Sequence, residues 1–399
     1  MNNWRECRIK DAVSLISVKT EDLSLPYIAL DNIVSWDAQF IPSESTSDGN
    51  SNECEPGDVL FGKLRPYLAK AYIPTEKSIC SPEFLVMRPN NGTHNKFMLY
   101  YFLSKSFIAY IKKQVAGTKM PRTKWSDLGS ISFNLPSPEE QEAIAAYLDK
   151  ECEKIGREIE LLERKADAYS RLRRSIINRA VTRGLNPNAP LKPSGNDWIG
   201  YIPEHWDYER VEKHFHSNTL YNKDFEFTRA FKFFMGTIVP KDEDRDAEEY
   251  REVYEKYTIV EENDIMINGL NLNYDLKSMR VGIVPYKGII TSAYVVLRPY
   301  EGVNAQFFNY LFKALDYRKF FHGMGKGVRL TLSFNELRTF ELPIPPETEQ
   351  REIVAYLDEK CGKIDAIIEK IGTKVERLKE LKRSLINEVV TGKRAINKI

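Results

Sequence analysis

The side chains of this chain that could do chemistry fall into two kinds, and those of the catalytic kind do not assemble. The run from His322 to Gly327 (HGMGKG) has glycines and a lysine of the sort that cradle phosphate, yet it lacks the Walker spacing and follows a helical run instead of a strand. Asp264 with Asp275, Leu276 and Lys277 has the acid-x-lysine composition of metal-dependent nucleases, a pattern short enough to recur by chance. His214 and His216 stand at i and i+2 with no third ligand near them in sequence. The second kind is binding chemistry. Lys63, Arg65, Tyr67 and Lys70 follow a strand-like run, and Lys119, Arg122, Thr123 and Lys124 lie on a loop bearing glycine and proline. Arginine and lysine bind phosphate or the guanine edge, and loops usually carry such readout; solvated surface charge is the plainer reading of the same cations. A later stretch offers Asn268, Asn271, Asn273, Lys277 and Arg280, then Lys326, Arg329, Thr331 and Ser333. Asparagine pairs bidentately with adenine and is equally a turn residue, so both readings stand.

Both sets are positioned by a plan that the chain contains twice. QEAIAAYLDKECEKI (Gln141 to Ile155) returns as QREIVAYLDEKCGKI (Gln350 to Ile364), and SIINRAVT (Ser175 to Thr182) returns as SLINEVVT (Ser384 to Thr391). The two offsets, 350 − 141 and 384 − 175, both equal 209, so no residue is gained or lost between them. Apolar residues recur in steps of four and three at Ile144, Leu148, Cys152, Ile155, Ile159, Leu162 and Ile176, and again at Ile353, Leu357, Cys361, Ile364, Ile368, Ile371, Leu378 and Leu385. That is the stripe of a helix lying along another helix. Prolines at 136 and 138, and at 343, 345 and 346, mark the two starts. Each helix of about 42 residues would be a rod of about 60 Å, and the nearest partner for its stripe is the other copy.

The segments between the rods also match. PGDVLFGKLR (Pro56 to Arg65) aligns with ENDIMINGLN (Glu262 to Asn271), PEFLVMRP (Pro82 to Pro89) with SAYVVLRP (Ser292 to Pro299), and GTKMPRTKWS (Gly117 to Ser126) with GKGVRLTLS (Gly325 to Ser333). Strands are expected at Ala29 to Val34, Asp58 to Leu64, Ala69 to Pro74 and Glu83 to Pro89, with helical runs from Lys96 to Gln114 and from Asn304 to Phe321. The expected class is α/β (α+β) globular heads in two copies, joined by two long antiparallel coiled-coil helices, a pseudo-twofold internal repeat. The expected order is a first head at 1–135, a long helix at 136–183, a linker and the start of the second half at 184–206, a second head at 207–342 and a last long helix at 343–399. Two alike heads that differ in sequence suit two different readings of one long ligand.

Composition bounds the rest. With 58 Lys and Arg against 57 Asp and Glu, any nucleic-acid contact must come from local basic patches. No apolar stretch approaches the roughly 20 residues of a membrane span, and the start lacks the apolar core of a signal peptide, so the chain is expected to be cytoplasmic. Cys7, Cys54, Cys80, Cys152 and Cys361 show no metal spacing. Cys152 and Cys361 share a repeat position, but on antiparallel rods they would lie about 30 Å apart, which leaves them as small apolar core residues.

The duplicated LP-x-P, EQ, I-x-AYLD and SII/SLI motifs, with WIGYIPEHW (Trp198 to Trp206) opening the second half, resemble the specificity subunit of type I DNA restriction-modification enzymes over essentially the whole chain. The resemblance implies a non-catalytic DNA reader whose heads are target recognition domains, each reading one half of a split double-stranded site, with the rods as a ruler. It further implies two copies of an adenine-N6 methyltransferase subunit and a restriction (translocase and nuclease) subunit as partners. S-adenosylmethionine, ATP and Mg would belong to those partners, and none is expected on this chain. The second head departs from the basic TKMPRTK of the first, having GKGVRL in its place. The Asp/Asn-Pro-Pro-aromatic tetrapeptide of adenine-N6 methyltransferases does not occur, so methylation would fall to another chain. A structural adaptor without DNA affinity, or the recognition part of a nuclease or methyltransferase, are the alternatives.

Overall fold

The computed structural model describes residues 4–20, 22, 24–47, 49–115, 120–196, 199–234, 236–241, 247–272, 279–327 and 330–396. The chain divides into two compact units, one of Met1–Arg164 with Ile371–Ile399 and one of Lys165–Lys370. Each division point falls inside a long helix: the first helix runs over Pro138–Arg183 (46 residues) and the second over Glu347–Val390 (44 residues). Both start as their prolines predict. At the first, the Glu140 N–H donates to Ser137 Oγ (3.3 Å), and the amide of Gln141 donates to Pro136 O (2.9 Å), as Gln350 does to Pro345 O (2.9 Å). Both stop at a glycine in the left-handed region, Gly184 (φ 68°) and Gly392 (φ 70°), a conformation that costs an L residue energy.

In the first unit, Arg5–Arg8 pairs antiparallel with Ser132–Leu135 and so joins the two ends of the head. A four-stranded sheet has the order Val13–Ile16, Phe84–Pro89, Val59–Gly62, Ala71–Tyr72. Val59, Leu60, Phe61 and Gly62 are all buried, as expected of a strand covered on both faces. One face meets the helices Asn95–Phe102 and Lys105–Gln114, where Phe61 lies 5.7 Å from Phe102 and 5.5 Å from Phe107, ring to ring. The other face meets a second core of Ile28, Ile33, Cys54, Leu60, Cys80, Phe84 and Val86. The long helices complete the first core: Ile144, Leu148, Cys152 and Ile155 share it with Leu385, Ile386, Val389 and Val390.

The second unit repeats the plan. Asp207–Arg210 pairs with Glu341–Ile344, and the sheet runs Phe215–Ser217, Val295–Pro299, Ile265–Ile267, Val281–Ile283. Its core joins Phe307, Phe308, Leu311 and Phe312 of the helix Ala305–Tyr317 to Ile177 and Val181 of one long helix and Ile353, Leu357 and Cys361 of the other.

Two internal contacts show how closely the plan is copied. Asp58, 1% exposed, accepts from the Glu55 N–H (2.9 Å) and from both arms of Arg88 (2.8 and 2.9 Å); Asp264, also 1% exposed, accepts from the Glu261 N–H (2.9 Å) and from Arg298 (3.0 and 2.8 Å). Tyr100 donates to Asp149 (2.7 Å), and Tyr310 to Asp358 (2.6 Å), so the Asp of each AYLD ties a head to its rod. Asp264 is thereby a turn clamp; Asp275, Leu276 and Lys277 lie outside the described residues. Asp264→Ala should cost about 1–3 kcal/mol, because it strands an N–H and a partly buried guanidinium. A fall in melting temperature of several degrees would register it, and an unchanged melting curve would deny the clamp.

Two expectations are corrected and two gain detail. Ala29 to Val34 is not a strand: Leu30–Asn32 is a 3-10 turn, because the Asn32 side chain accepts from the Ala29 N–H (2.7 Å) and donates to Ile41 O (2.9 Å), standing in for a strand partner. The helical run from Lys96 to Gln114 breaks at Ser104, which caps the second helix by accepting from the Phe107 N–H (3.3 Å), and the run from Asn304 to Phe321 breaks at Lys319 (φ 62°). The linker holds a small hairpin, Leu191–Pro193 with Tyr201–Pro203. On the rods, Ile144, Leu148, Ile155, Ile353, Leu357, Ile364, Ile371 and Leu385 are buried, whereas Ile159, Leu162, Ile176, Ile368 and Leu378 are half-buried. Ile177 and Val181, not Ile176, are fully buried near the end of the first helix; a straight helix of 3.6 residues per turn drifts from a 3.5-residue stripe, and here the head sets which side faces in.

Candidate nucleic-acid interface

Each head builds a platform from two loops that are far apart in sequence. In the first, the chain leaves the strand Val59–Gly62, and its backbone bonds to the later loop in alternation: Thr123 N–H to Lys63 O (3.0 Å) and Arg65 N–H to Pro121 O (2.8 Å). The two basic segments expected separately from sequence therefore lie side by side. Arg65 has φ 48° and an exposed side chain. Lys124 is exposed at the start of the helix Trp125–Gly129, and Lys63 is half-buried. Arg122 is exposed but held by both oxygens of Glu83 (3.0 and 3.2 Å). Three of the expected residues are turned inside: Lys70 donates to Leu30 O (2.7 Å), Tyr67 packs on the core, and Thr123 is 3% exposed. Lys119 lies outside the described residues.

The second head makes the same approach. The Leu332 N–H donates to Gly269 O (2.9 Å) and the Leu272 N–H to Leu330 O (3.1 Å). A Cβ on Gly269 would stand 2.5 Å from Leu332 O, so only glycine lets these loops meet. Asn271 is exposed with φ 50°; Asn268 is half-buried, its side chain accepting from the Leu270 N–H (3.2 Å). Arg280 is 8% exposed and turned inward, donating to Asn268 O and Leu270 O (2.8 Å each) and to Asn271 O (3.3 Å). It supports the asparagine turn from beneath, where sequence had placed it on the surface. Lys326 and Thr331 pair through their backbones with exposed side chains, and Ser333 caps the helix Phe334–Leu337 with Glu336. Asn273, Lys277 and Arg329 lie outside the described residues. Sequence reasoning missed Glu83, Gly269 and Leu330, whose roles exist only through contacts across dozens of residues.

His214 Nε2 lies 2.8 Å from Glu209 with its ring 4.8 Å from Phe308, whereas His216 lies 5.1 Å from Tyr300. Burial holds the pKa of His214 below the ordinary histidine value, against the opposing pull of Glu209. Among the described residues no group of three His, Cys, Asp or Glu could hold a metal ion, and no helix is long and apolar enough to cross a membrane. Cys152 and Cys361 are free thiols, each in the core of its own unit.

Two heads of one plan, each offering cations or amides from a paired-loop platform, define a two-headed binding protein. The chain belongs to the type I restriction modification DNA specificity domain family, whose model matches residues 36–164 and 215–377. It is a DNA-recognition subunit of that class and is not itself the enzyme. It is 24% identical over 367 residues to the type I restriction enzyme MjaX specificity subunit of Methanocaldococcus jannaschii, covering 84% of this chain and 78% of the relative. To the MjaVIII specificity subunit of the same organism it is 22% identical over 428 residues, covering 98% and 93%. Its fold matches a chain from a structural study of assembly and conformational transition in a type I R-M system, with a TM-score of 0.72 at 18% identity over 98% of both chains.

Proposed function

We propose that each head reads one half of a bipartite double-stranded DNA site, the first head being residues 1–135 and the second 207–342. The long helices pair antiparallel as a coiled coil that sets the gap between the halves, and they dock two copies of an adenine-N6 methyltransferase subunit and a translocating nuclease subunit. S-adenosylmethionine, ATP and Mg are used by those partners in the cytoplasm. One observation carries this reading: the same two-loop platform is built in both heads while its exposed side chains differ, Arg65 and Lys124 in one against Asn271, Lys326 and Thr331 in the other. The rod pairing is supported inside each unit. Glu158 meets Lys374 (2.7 Å) while the earlier Ile144 packs near the later Val389, and Arg173 meets Asp365 (3.0 Å) while Ile177 shares a core with Ile353.

The test is to co-express this chain with its methyltransferase subunit and map N6-methyladenine across the host genome. Two short defined blocks around a fixed gap are expected, together with DNA affinity that falls steeply with salt. A continuous motif would remove the rods as spacer. No motif and no salt-dependent binding, with both proteins folded and associated, would favour the adaptor.

A further inference from the structure

We infer that Arg65 and Asn271 occupy one and the same reading position in the two heads, Arg65 recognising a guanine in one half-site and Asn271 an adenine in the other. This rests on the bipartite reading above and assigns the bases at one position of each half.

The equivalence is geometric. In the alignment of Pro56–Arg65 with Glu262–Asn271, Arg65 falls on Asn271, and the structure puts both in the left-handed region, at φ 48° and 50°. Both lie on the turn that follows a strand of the same sheet position, Val59–Gly62 and Ile265–Ile267. The second loop of the platform braces Arg65 directly, through its N–H to Pro121 O (2.8 Å), and braces Asn271 through its neighbour, the Leu272 N–H donating to Leu330 O (3.1 Å). A left-handed turn position is most cheaply filled by glycine, less so by asparagine, and least readily by a long side chain such as arginine. Two heads that diverge elsewhere both keep a side chain there. A strained, exposed residue held by a rigid frame points to use of that side chain.

The neighbours narrow the choice. The guanidinium of Arg122 is held by Glu83, the Lys70 ammonium by Leu30 O, and the Arg280 guanidinium by three carbonyls of the asparagine turn. Among the described residues, the Arg65 guanidinium and the Asn271 amide have no such partner, and both are exposed. A free guanidinium fork fits O6 and N7 of guanine, and a free carboxamide fits N6 and N7 of adenine. Arg280 then has a defined part: it fixes the carbonyls of residues 268, 270 and 271 so that the Asn271 amide is presented without being ordered on binding.

The experiment is the methylome map with wild type, Arg65→Gly, Arg65→Lys and Asn271→Gly, each in complex with the methyltransferase subunit. Glycine relieves the backbone strain, so these variants fold at least as well as wild type, and melting curves check this. Wild type should show a G·C pair in one block and an A·T pair in the other that respond as follows. Arg65→Gly loses its base preference at a single position by about tenfold or more, with the second block intact. Arg65→Lys loses it too, because an ammonium keeps the charge but not the fork. Asn271→Gly relaxes one position of the other block only. Uniformly weaker methylation with unchanged base preferences would make Arg65 a phosphate contact and overturn the inference; so would tolerance of Arg65→Lys, or a motif unchanged in all variants. A wild type with no split motif would instead sink the bipartite reading itself.

Discussion

Trp206→Ala is expected to cost the second unit about 3–5 kcal/mol, the range for deleting a large buried aromatic. Trp206 is 0% exposed, shares a core with Ile199, Ile202 and Val181, and donates through Nε1 to Glu349 Oε2 (3.0 Å) at the start of the second long helix. The same carboxylate lies 2.9 Å from His205 Nε2, and a Cβ on Gly184, where the first long helix ends, would stand 3.3 Å from the indole. One ring therefore pins the end of one rod, the start of the other and the entry into the head. Hydrogen exchange or urea unfolding of the whole chain should show the loss within Lys165–Lys370 first. Trp4 is the internal control. It holds the matching place before the first strand of the first unit, yet it is half-buried, and its Nε1 is buried with no hydrogen-bond partner among the described residues. Trp4→Phe should be near neutral, since it deletes an unsatisfied donor while keeping a ring. Equal costs at the two tryptophans, or a Trp206→Ala loss below about 1 kcal/mol, would refute the pinning role.

The rods were readable because helix register admits no insertion: one residue more would turn the stripe by about 100° and bury the wrong side. The heads tolerate indels in their loops, so their match survives in short blocks such as Val59–Gly62 and Ile265–Ile267, where burial on both faces dictates apolar residues. Breaks inside helical runs were harder to see. Apolar spacing continues through Ser104 although the helix does not, and the capping serine was the available signal. Asn32 hid a turn inside an apolar run because its side chain replaces backbone partners. At the platforms, residue type singled out two segments that the backbone brings side by side, the Thr123 N–H reaching Lys63 O and the Arg65 N–H reaching Pro121 O. Which of their side chains face out was not legible. Arg280 and Lys70 are cations that spend themselves on main-chain carbonyls, and nothing in local sequence separates such a group from one free for a ligand.

Exchanging residues 1–135 for the matching head of another family member is expected to replace one block of the methylated site completely and leave the other block unchanged. The head has its own second core, from Ile28 to Val86, which travels with the segment. Its seat on the rods is the apolar core it shares with Ile144, Leu148, Leu385 and Val389, and a few polar contacts: Tyr100 to Asp149 (2.7 Å), the His94 N–H to Gln141 (2.8 Å), Lys105 to Ser384 (2.8 Å) and the Ser106 N–H to Asn387 (2.8 Å). The tyrosine contact recurs as Tyr310 to Asp358 in the second unit, so a donor head carrying a tyrosine at that place arrives with its main anchor. One further contact involves a buried charge. Lys382 on the second rod is 9% exposed and pairs with Asp37; a donor lacking that carboxylate leaves the ammonium buried and alone, at a cost of about 1–3 kcal/mol. The exchange should thus work best when Lys382 is replaced together with the head, and a hybrid that fails to fold should recover with Lys382→Met. Mapping N6-methyladenine for the hybrid decides the matter: a change in both blocks would mean that the heads do not read independently, because nothing in the second unit has been altered.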